Sequence, residues 1–320
     1  MSFYNSNFRG QAVKFSWLAC PFTLIVIFFI QAKQFFNMIL KIIKKKKWVL
    51  FSSILLLFII YIRTFIGQPA FIPSGSMENT LLRGDYIWID KRTYGANLPR
   101  RFADIPIINA FTWINYLRKI DEKIDWGYGR VKTDKSPSRG DITVYTSENN
   151  LNMLMVKRLV GISGDTVIIK DGELIINGRF FNEQPTIIYT DMDILAEFPE
   201  NTLWTIHNYG PLIVPKKGMT IEINKDNISW IKKVALKEGI VLTNKDDSLI
   251  SCDEYSTNSY TFRDNYYFML GDNRKNSHDS RFTGFISEQD IEGRIEFILF
   301  SVDNTFRLSF RKNRFFMKVN

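Results

Sequence analysis

The sequence predicts a mostly β domain preceded by a membrane-spanning helix, and three observations lead to that class. An apolar run at 48–66 is entered from a block of lysines. Beyond it, short segments rich in β-branched residues recur, each bounded by Gly, Asp or Lys. A long interval, 168–265, carries strands and turns of its own between two stretches dense in polar residues, which reads as a smaller β domain inserted into a larger one.

Each element follows from local composition. The run WVLFSSILLLFIIYIRTFI, residues 48–66, rises about 1.5 Å per residue as a helix and so crosses a hydrocarbon core of about 30 Å. Arg63 lies near its far end, where a long cationic side chain can snorkel to the interface. Lys41, Lys44, Lys45, Lys46 and Lys47 flank one side only, which places the lysines in the cytoplasm and everything after residue 66 outside it. Residues 1–47 hold a second, shorter apolar stretch at 17–30 that contains Pro21; it reads as a further span, an interfacial helix or an over-long start to the reading frame. No basic start and small-residue cleavage site frame it, so it is not a cleaved signal.

Past the span, YIWIDK (86–91), DITVY (141–145), DTVIIK (165–170), ELIING (173–178) and MTIEI (219–223) read as strands. Residues 95–130 are aromatic and Pro-containing, with short helices expected. The layout is one β domain from 67–167 and 266–302, an inserted β domain at 168–265, and a basic-aromatic tail at 303–320. That tail suits an anionic membrane surface or, equally, solvent.

Composition excludes several classes. The net charge of +9 is explained by the lysine block and by a second cluster, Arg307 to Lys318. No RNA-binding signature or zinc-finger spacing accompanies it, so no nucleic-acid partner is expected. Two cysteines, Cys20 and Cys252, read as free thiols, not as a disulfide framework. Two histidines, His207 and His278, leave little room for a histidine-based metal site. No metal or cofactor is expected.

Three stretches carry chemistry. In PSGSM (73–77), Pro73 favours an extended approach and Gly75 permits a tight turn between two serines. A serine nucleophile needs a base. Lys157 is a candidate: Met153, Leu154, Met155 and Val156 precede it, and desolvation favours the neutral amine. Taken alone, Ser-Gly-Ser is equally a loop sequence and Lys157 equally a strand lysine facing water. The third stretch, GDNRKNSHDSR (271–281), is dense in side chains that organise turns; Asp279 with Arg281, and Asp272 with Arg274, are possible pairs.

In their order and spacing, PSGSMENTLLRGDYIWIDK, SRGDITVY, MVKRLVGISGDTV and GDNRKNSHDSR resemble the motifs of bacterial type I signal peptidases, which also follow a transmembrane anchor. The motifs cover about a quarter of the chain. The resemblance implies a signal-peptidase-like β catalytic core close to the membrane and a membrane-bound serine endopeptidase. Ser76 matches the nucleophile and Lys157 the general base. Ser74, with the Ser76 backbone N–H, matches the oxyanion hole, and Ser277 the serine that orients the lysine. Asp279 and Arg281 match a supporting pair; Ile72, Leu81, Met155 and Val156 match the walls of the pocket for the residue before the cut. Implied partners are preproteins bearing signal peptides, the lipid bilayer of the cell membrane and the secretion translocon.

The chain departs from the family pattern at Asn79, usually Pro; at Lys275, usually Asp; and at Thr283 and Ser287, where Trp and Pro are common. Arg-Gly-Asp at 83–85 and 139–141 reads as turn chemistry at strand ends, and His278 as an exposed loop residue. Two other readings share the Ser/Lys logic or the fold: a self-cleaving repressor-type protease, and an inactive membrane-tethered binding protein. The anchor and the lack of a helix-turn-helix argue against the first. The intact Ser74, Ser76, Lys157 and Ser277 argue against the second.

Overall fold

The computed structural model describes residues 45–147, 153–181, 193–245, 248–250, 256–303 and 309–319. The apolar stretch at 17–30, Lys41, Lys44 and both cysteines lie outside them. The chain divides into two compact units, Met1–Phe58 and Ile59–Asn320.

Helix α1, Lys45–Ile66, is 22 residues long with a mean hydropathy of 2.3 over its most apolar window, long and apolar enough to cross a membrane. Its apolar side chains are exposed from Trp48 to Phe58, so packing against protein does not account for them. The last five residues, Ile62–Ile66, widen into a π-turn.

The second unit is mostly β. Strands β1 (Gly67–Phe71), β2 (Asp85–Asp90), β3 (Ile142–Ser147) and β4 (Met153–Gly161) belong to one large sheet. Between β4 and its later partner come β5 (Thr166–Lys170), β6 (Glu173–Ile176), β7 (Arg179–Phe180), β8 (Tyr209–Ile213), β9 (Thr220–Glu222), β10 (Thr243–Lys245), β11 (Ser248–Ile250), β12 (Ser256–Thr257) and β13 (Ser259–Thr261). These nine form sheets of their own, in the orders β7-β6-β5-β8, β9-β13 and β10-β11-β12. The large sheet resumes with β14 (Tyr266–Leu270), β15 (Ile286–Ser287) and the long β16 (Ile291–Asp303), in the order β1-β2-β16-β3-β4-β14-β15. Strands β17 (Ser309–Phe310) and β18 (Met317–Lys318) pair with β16. Three short α-helices complete the unit: α2 (Asn115–Asp121), α3 (Ile228–Lys237) and α4 (Ser280–Thr283).

Period-2 alternation divides the apolar residues of the large sheet between two clusters. Ile72, Met77, Leu81, Ile87, Ile89, Ile142, Val144, Ile295 and Ile298 form one, and Tyr94, Tyr145, Leu159, Tyr267 and Met269 belong to the other. A third cluster runs from the large sheet into the segment 166–261: Val160, Phe268 and Leu270 pack with Val167, Leu212, Trp230 and Phe262.

Both Arg-Gly-Asp tripeptides are turn chemistry, and Ile162–Asp165 repeats the design. In Leu82–Asp85, Ser138–Asp141 and Ile162–Asp165 the aspartate N–H donates to the carbonyl three residues back, at 3.0–3.1 Å. Each aspartate carboxylate accepts from the N–H of that same earlier residue at 2.8–3.0 Å. Gly84, Gly140 and Gly164 take φ of 96°, 91° and 93°, where a side chain is disfavoured. Each turn delivers the chain into a strand, β2, β3 or β5.

Candidate active site

Three elements converge on Ser76. The first is the turn after β1. Thr80 and Leu81 both donate N–H to the Met77 carbonyl, and Met77 and Leu81 are buried beneath it. Asn79 takes φ 77°, a left-handed conformation that asparagine tolerates and proline cannot adopt. The departure from the family's proline is therefore built into the turn.

The second element is β4. Alternation along it sends Met155 and Lys157 to one face and Val156 and Arg158 to the other. Lys157 is 1% exposed, and its Nζ donates to Ser76 Oγ at 2.9 Å. No carboxylate lies within ion-pair distance of that Nζ among the described residues. Burial pushes the Lys157 ammonium below its ordinary range; Asp279 and Asp272 pull it up and Arg281 pushes it further down, with a net lowering.

The third element is the loop 271–281, which is polar and buried. The Asn273 N–H donates to the Ser76 carbonyl at 3.0 Å, and its side-chain amide donates to the Gly75 carbonyl at 3.1 Å. Gly271 lets this approach happen: a Cβ there would lie 2.1 Å from Ser277 Oγ and 2.6 Å from the Ser76 carbonyl. Asp279 accepts the Gly271 N–H at 3.1 Å and holds Arg281 through two bonds of 2.9 Å, both side chains being fully buried. Burial opposes ionisation of Asp279, but Arg281, the Gly271 N–H and Lys157 outweigh it and hold its carboxyl below the usual range. The bidentate partner of Asp272 is Arg158, at 2.8 Å through each of two nitrogens. Arg274 donates its Nε to the Gly271 carbonyl.

The remaining candidates divide. Ile72, Leu81 and Val156 meet in one apolar cluster, whereas Met155 packs against the other, with Tyr145 and Leu159. Ser74 is exposed; neither its hydroxyl nor the Ser76 backbone N–H is taken up by another described group. Ser277 is buried, and its hydroxyl makes no hydrogen bond, to Lys157 or to any other described residue. His278 is exposed and stacks on Phe282, 5.3 Å between ring centres. Lys275 is exposed. Among the described residues no group of His, Cys, Asp or Glu is arranged to hold a metal ion.

Sequence reasoning missed three supports: the Arg158–Asp272 pair that joins two motifs, the double clamp by Asn273, and Thr80, whose hydroxyl donates to Asp272 at 2.5 Å. Each partner lies more than a hundred residues away along the chain, so no local pattern exposes it. Gly271 alone left a signal, a glycine immediately before the polar run.

Comparison with known proteins identifies the family. The family model described as "Signal peptidase, peptidase S26" matches residues 45–300. The signal peptidase I of Buchnera aphidicola subsp. Baizongia pistaciae is 31% identical over 255 residues, covering 76% of this chain and 73% of that protein. The signal peptidase I of Buchnera aphidicola subsp. Schizaphis graminum is 31% identical over 304 residues, covering 87% of this chain and 85% of its own length. That of Rickettsia typhi is 30% identical over 248 residues and covers 76% of each. With the match extending from the apolar helix into β16, the chain belongs to the signal peptidase family, peptidase S26.

Proposed function

We propose that the protein is a membrane-anchored serine endopeptidase that removes signal peptides from exported preproteins, with Ser76 as nucleophile and Lys157 as general base. The observation that carries this reading is the 2.9 Å contact between Lys157 Nζ and Ser76 Oγ, made by a lysine that is buried and has no carboxylate partner among the described residues. A neutral amine there accepts the serine proton as Oγ attacks the scissile carbonyl. The free Ser76 N–H and the Ser74 hydroxyl are the donors suited to the oxyanion, each such donor being worth roughly 3–4 kcal/mol. As the peptide bond breaks, Lys157 gives the serine proton to the amine of the departing mature chain, leaving the signal peptide as an ester on Ser76. Neutral again, Lys157 takes a proton from water, which attacks that ester, and returns it to Ser76 Oγ as the signal peptide leaves. The Ser277 hydroxyl, buried and unpaired, is our candidate for steadying the Lys157 amine as its proton moves.

Ile72, Leu81 and Val156 pack closely enough to favour a small residue before the cut, in a substrate docked as an added strand. The lysines at 41–47, ahead of the apolar run, favour a cytoplasmic start and an outer catalytic unit, on the cell membrane. The secretion translocon would be a natural neighbour there.

One experiment tests the reading. The detergent-solubilised full chain is incubated with purified preproteins, and the new N-termini are sequenced. Cleavage after small residues is expected, with none after a bulky aromatic. Ser76→Ala and Lys157→Ala should each abolish it, and the double variant should be no worse than either, because the two act as one unit. Wild-type-like turnover in either single variant overturns the assignment.

A further inference from the structure

The tail beyond β16 does not simply present its cations to solvent or lipid. Arg311 donates to the Arg83 carbonyl at 2.9 Å and to Ser301 Oγ at 2.8 Å. The Val319 side chain is buried in the cluster that holds Ile72 and Leu81, and its N–H donates to the Glu296 carbonyl. Between these two fastenings sits Arg314. Its guanidinium donates to both oxygens of Asp85, at 3.1 and 2.6 Å, and to the Thr80 carbonyl at 3.0 Å. The Asp85 side chain is fully buried and that of Arg314 is 13% exposed.

Thr80 and Asp85 bracket the far half of the turn that carries Ser76. The Thr80 hydroxyl reaches Asp272, which holds Arg158, the residue after Lys157. Arg314 thus closes a polar chain, Arg314–Thr80–Asp272–Arg158, that ties the nucleophile's turn to the base's strand. A guanidinium suits the place, because its planar fork can satisfy a carboxylate and a neighbouring carbonyl together.

From this geometry we propose that Arg314 is a positioning residue for the cleavage reaction: by gripping Asp85 and Thr80 together it holds the Ser76 turn in register with Lys157. The proposal rests on Ser76 and Lys157 being the reacting pair. Displacement of a reacting group by about 1 Å can cost on the order of a hundredfold in rate. Loss of the grip should therefore lower kcat for every correctly folded molecule.

The test uses the full chain in detergent, with active sites counted by a serine-directed acylating probe. Arg314→Ala, Arg314→Lys and Ser76→Ala are measured side by side for kcat per titrated site, KM and melting temperature. Arg314→Ala should lose roughly ten- to a hundredfold in kcat per titrated site with KM little changed. Arg314→Lys, which keeps the charge on Asp85 but not the fork, should fall between it and wild type. If a substitution lowers only the titratable fraction, and each remaining site turns over as wild type does, the role is structural and the proposal fails. Should Arg314→Ala yield no folded protein, Arg314→Lys decides alone: wild-type kcat per site overturns the proposal and a loss supports it. Ser76→Ala separates the two layers. Activity in that variant overturns the catalytic reading itself. Inactivity there with unchanged Arg314 variants overturns only the positioning role.

Discussion

The loop 271–281 and the segment 98–131 invert the usual relation of polarity to burial. The loop is built of Gly, Asp, Asn, Arg and Ser, yet Asp272, Asn273, Arg274, Ser277, Asp279 and Arg281 are all buried. The segment holds Phe111, Trp113, Tyr116, Trp126 and Tyr128, yet all five are exposed, Trp113 at 83%. In the loop each buried charge has a partner and the Asn273 amide bridges two motifs, which limits the penalty of burying polar groups; the Ser277 hydroxyl and the Asn273 side-chain oxygen are buried without a partner among the described residues. In the segment the backbone bonds Leu98 N–H to Gly129 O and Val131 N–H to Ala96 O, with Arg100 on Gln289 and Arg130 on the Glu288 and Ile291 carbonyls, fasten the base, and the exposed aromatics lie outside these attachments. Buried polarity marks the region where geometry is over-determined, and that region surrounds Ser76 and Lys157. Exposed aromatics mark side chains whose loss the fold should tolerate.

Substitutions can break this contrast, and the largest effect is expected at Gly271. Gly271→Ala should reduce cleavage by two or more orders of magnitude, on the scale of about a hundredfold for a 1 Å misplacement. Its Cβ has nowhere to go between Ser277 and the backbone of Ser76. Kinetics per titrated serine check this, and near-normal turnover would show that the loop yields.

Next in size is Arg281→Ala, which strands Asp279 in the interior. Removing one partner of a buried pair costs about 3–5 kcal/mol, read as a shift in denaturant midpoint. The pH dependence has a fixed sign. The folded-state Asp279 carboxyl lies below its ordinary value, so its stabilisation is present above the unfolded value and is lost as pH falls through the folded one. Wild type should lose stability over that acid window, and the variant should lose less there.

At the small end is Trp113→Ser. An exposed side chain away from any buried network should shift stability by no more than about 0.5 kcal/mol. A loss above 1 kcal/mol in the detergent-solubilised protein would show that the segment contributes to the fold, and the contrast would fail.

The same contrast explains what could be read in advance. The mostly β class was legible because strand signals at 86–91, 141–145 and 165–170 are local, and strands occupy those places. Ser76 and Lys157 were legible as motif positions, but their meeting was not, since it depends on the pairing of β3, β4 and β14. Met155 and Val156 were grouped by their match to the family's pocket positions; the pleat sends them to different apolar clusters. The Asp272–Arg158 pair and the grip of Arg314 on Asp85 were hidden because an ion pair between distant segments leaves no periodicity. The tail's basic-aromatic composition suggested a surface role, although Arg314 and Val319 turn inward.

The central claim is that Lys157 works as a buried, neutral base on Ser76. It is tested most directly by the pH dependence of kcat/KM in a variant with His207 and His278 both replaced by Gln, which removes the side chains that could mimic such a base. The account predicts that the acidic limb persists, as one group titrating below the ordinary lysine value of 10.5 and above the carboxylate range, with activity lost as pH falls because protonation removes the base. A limb that vanishes with the histidines, or one that sits at the ordinary lysine value, would contradict it.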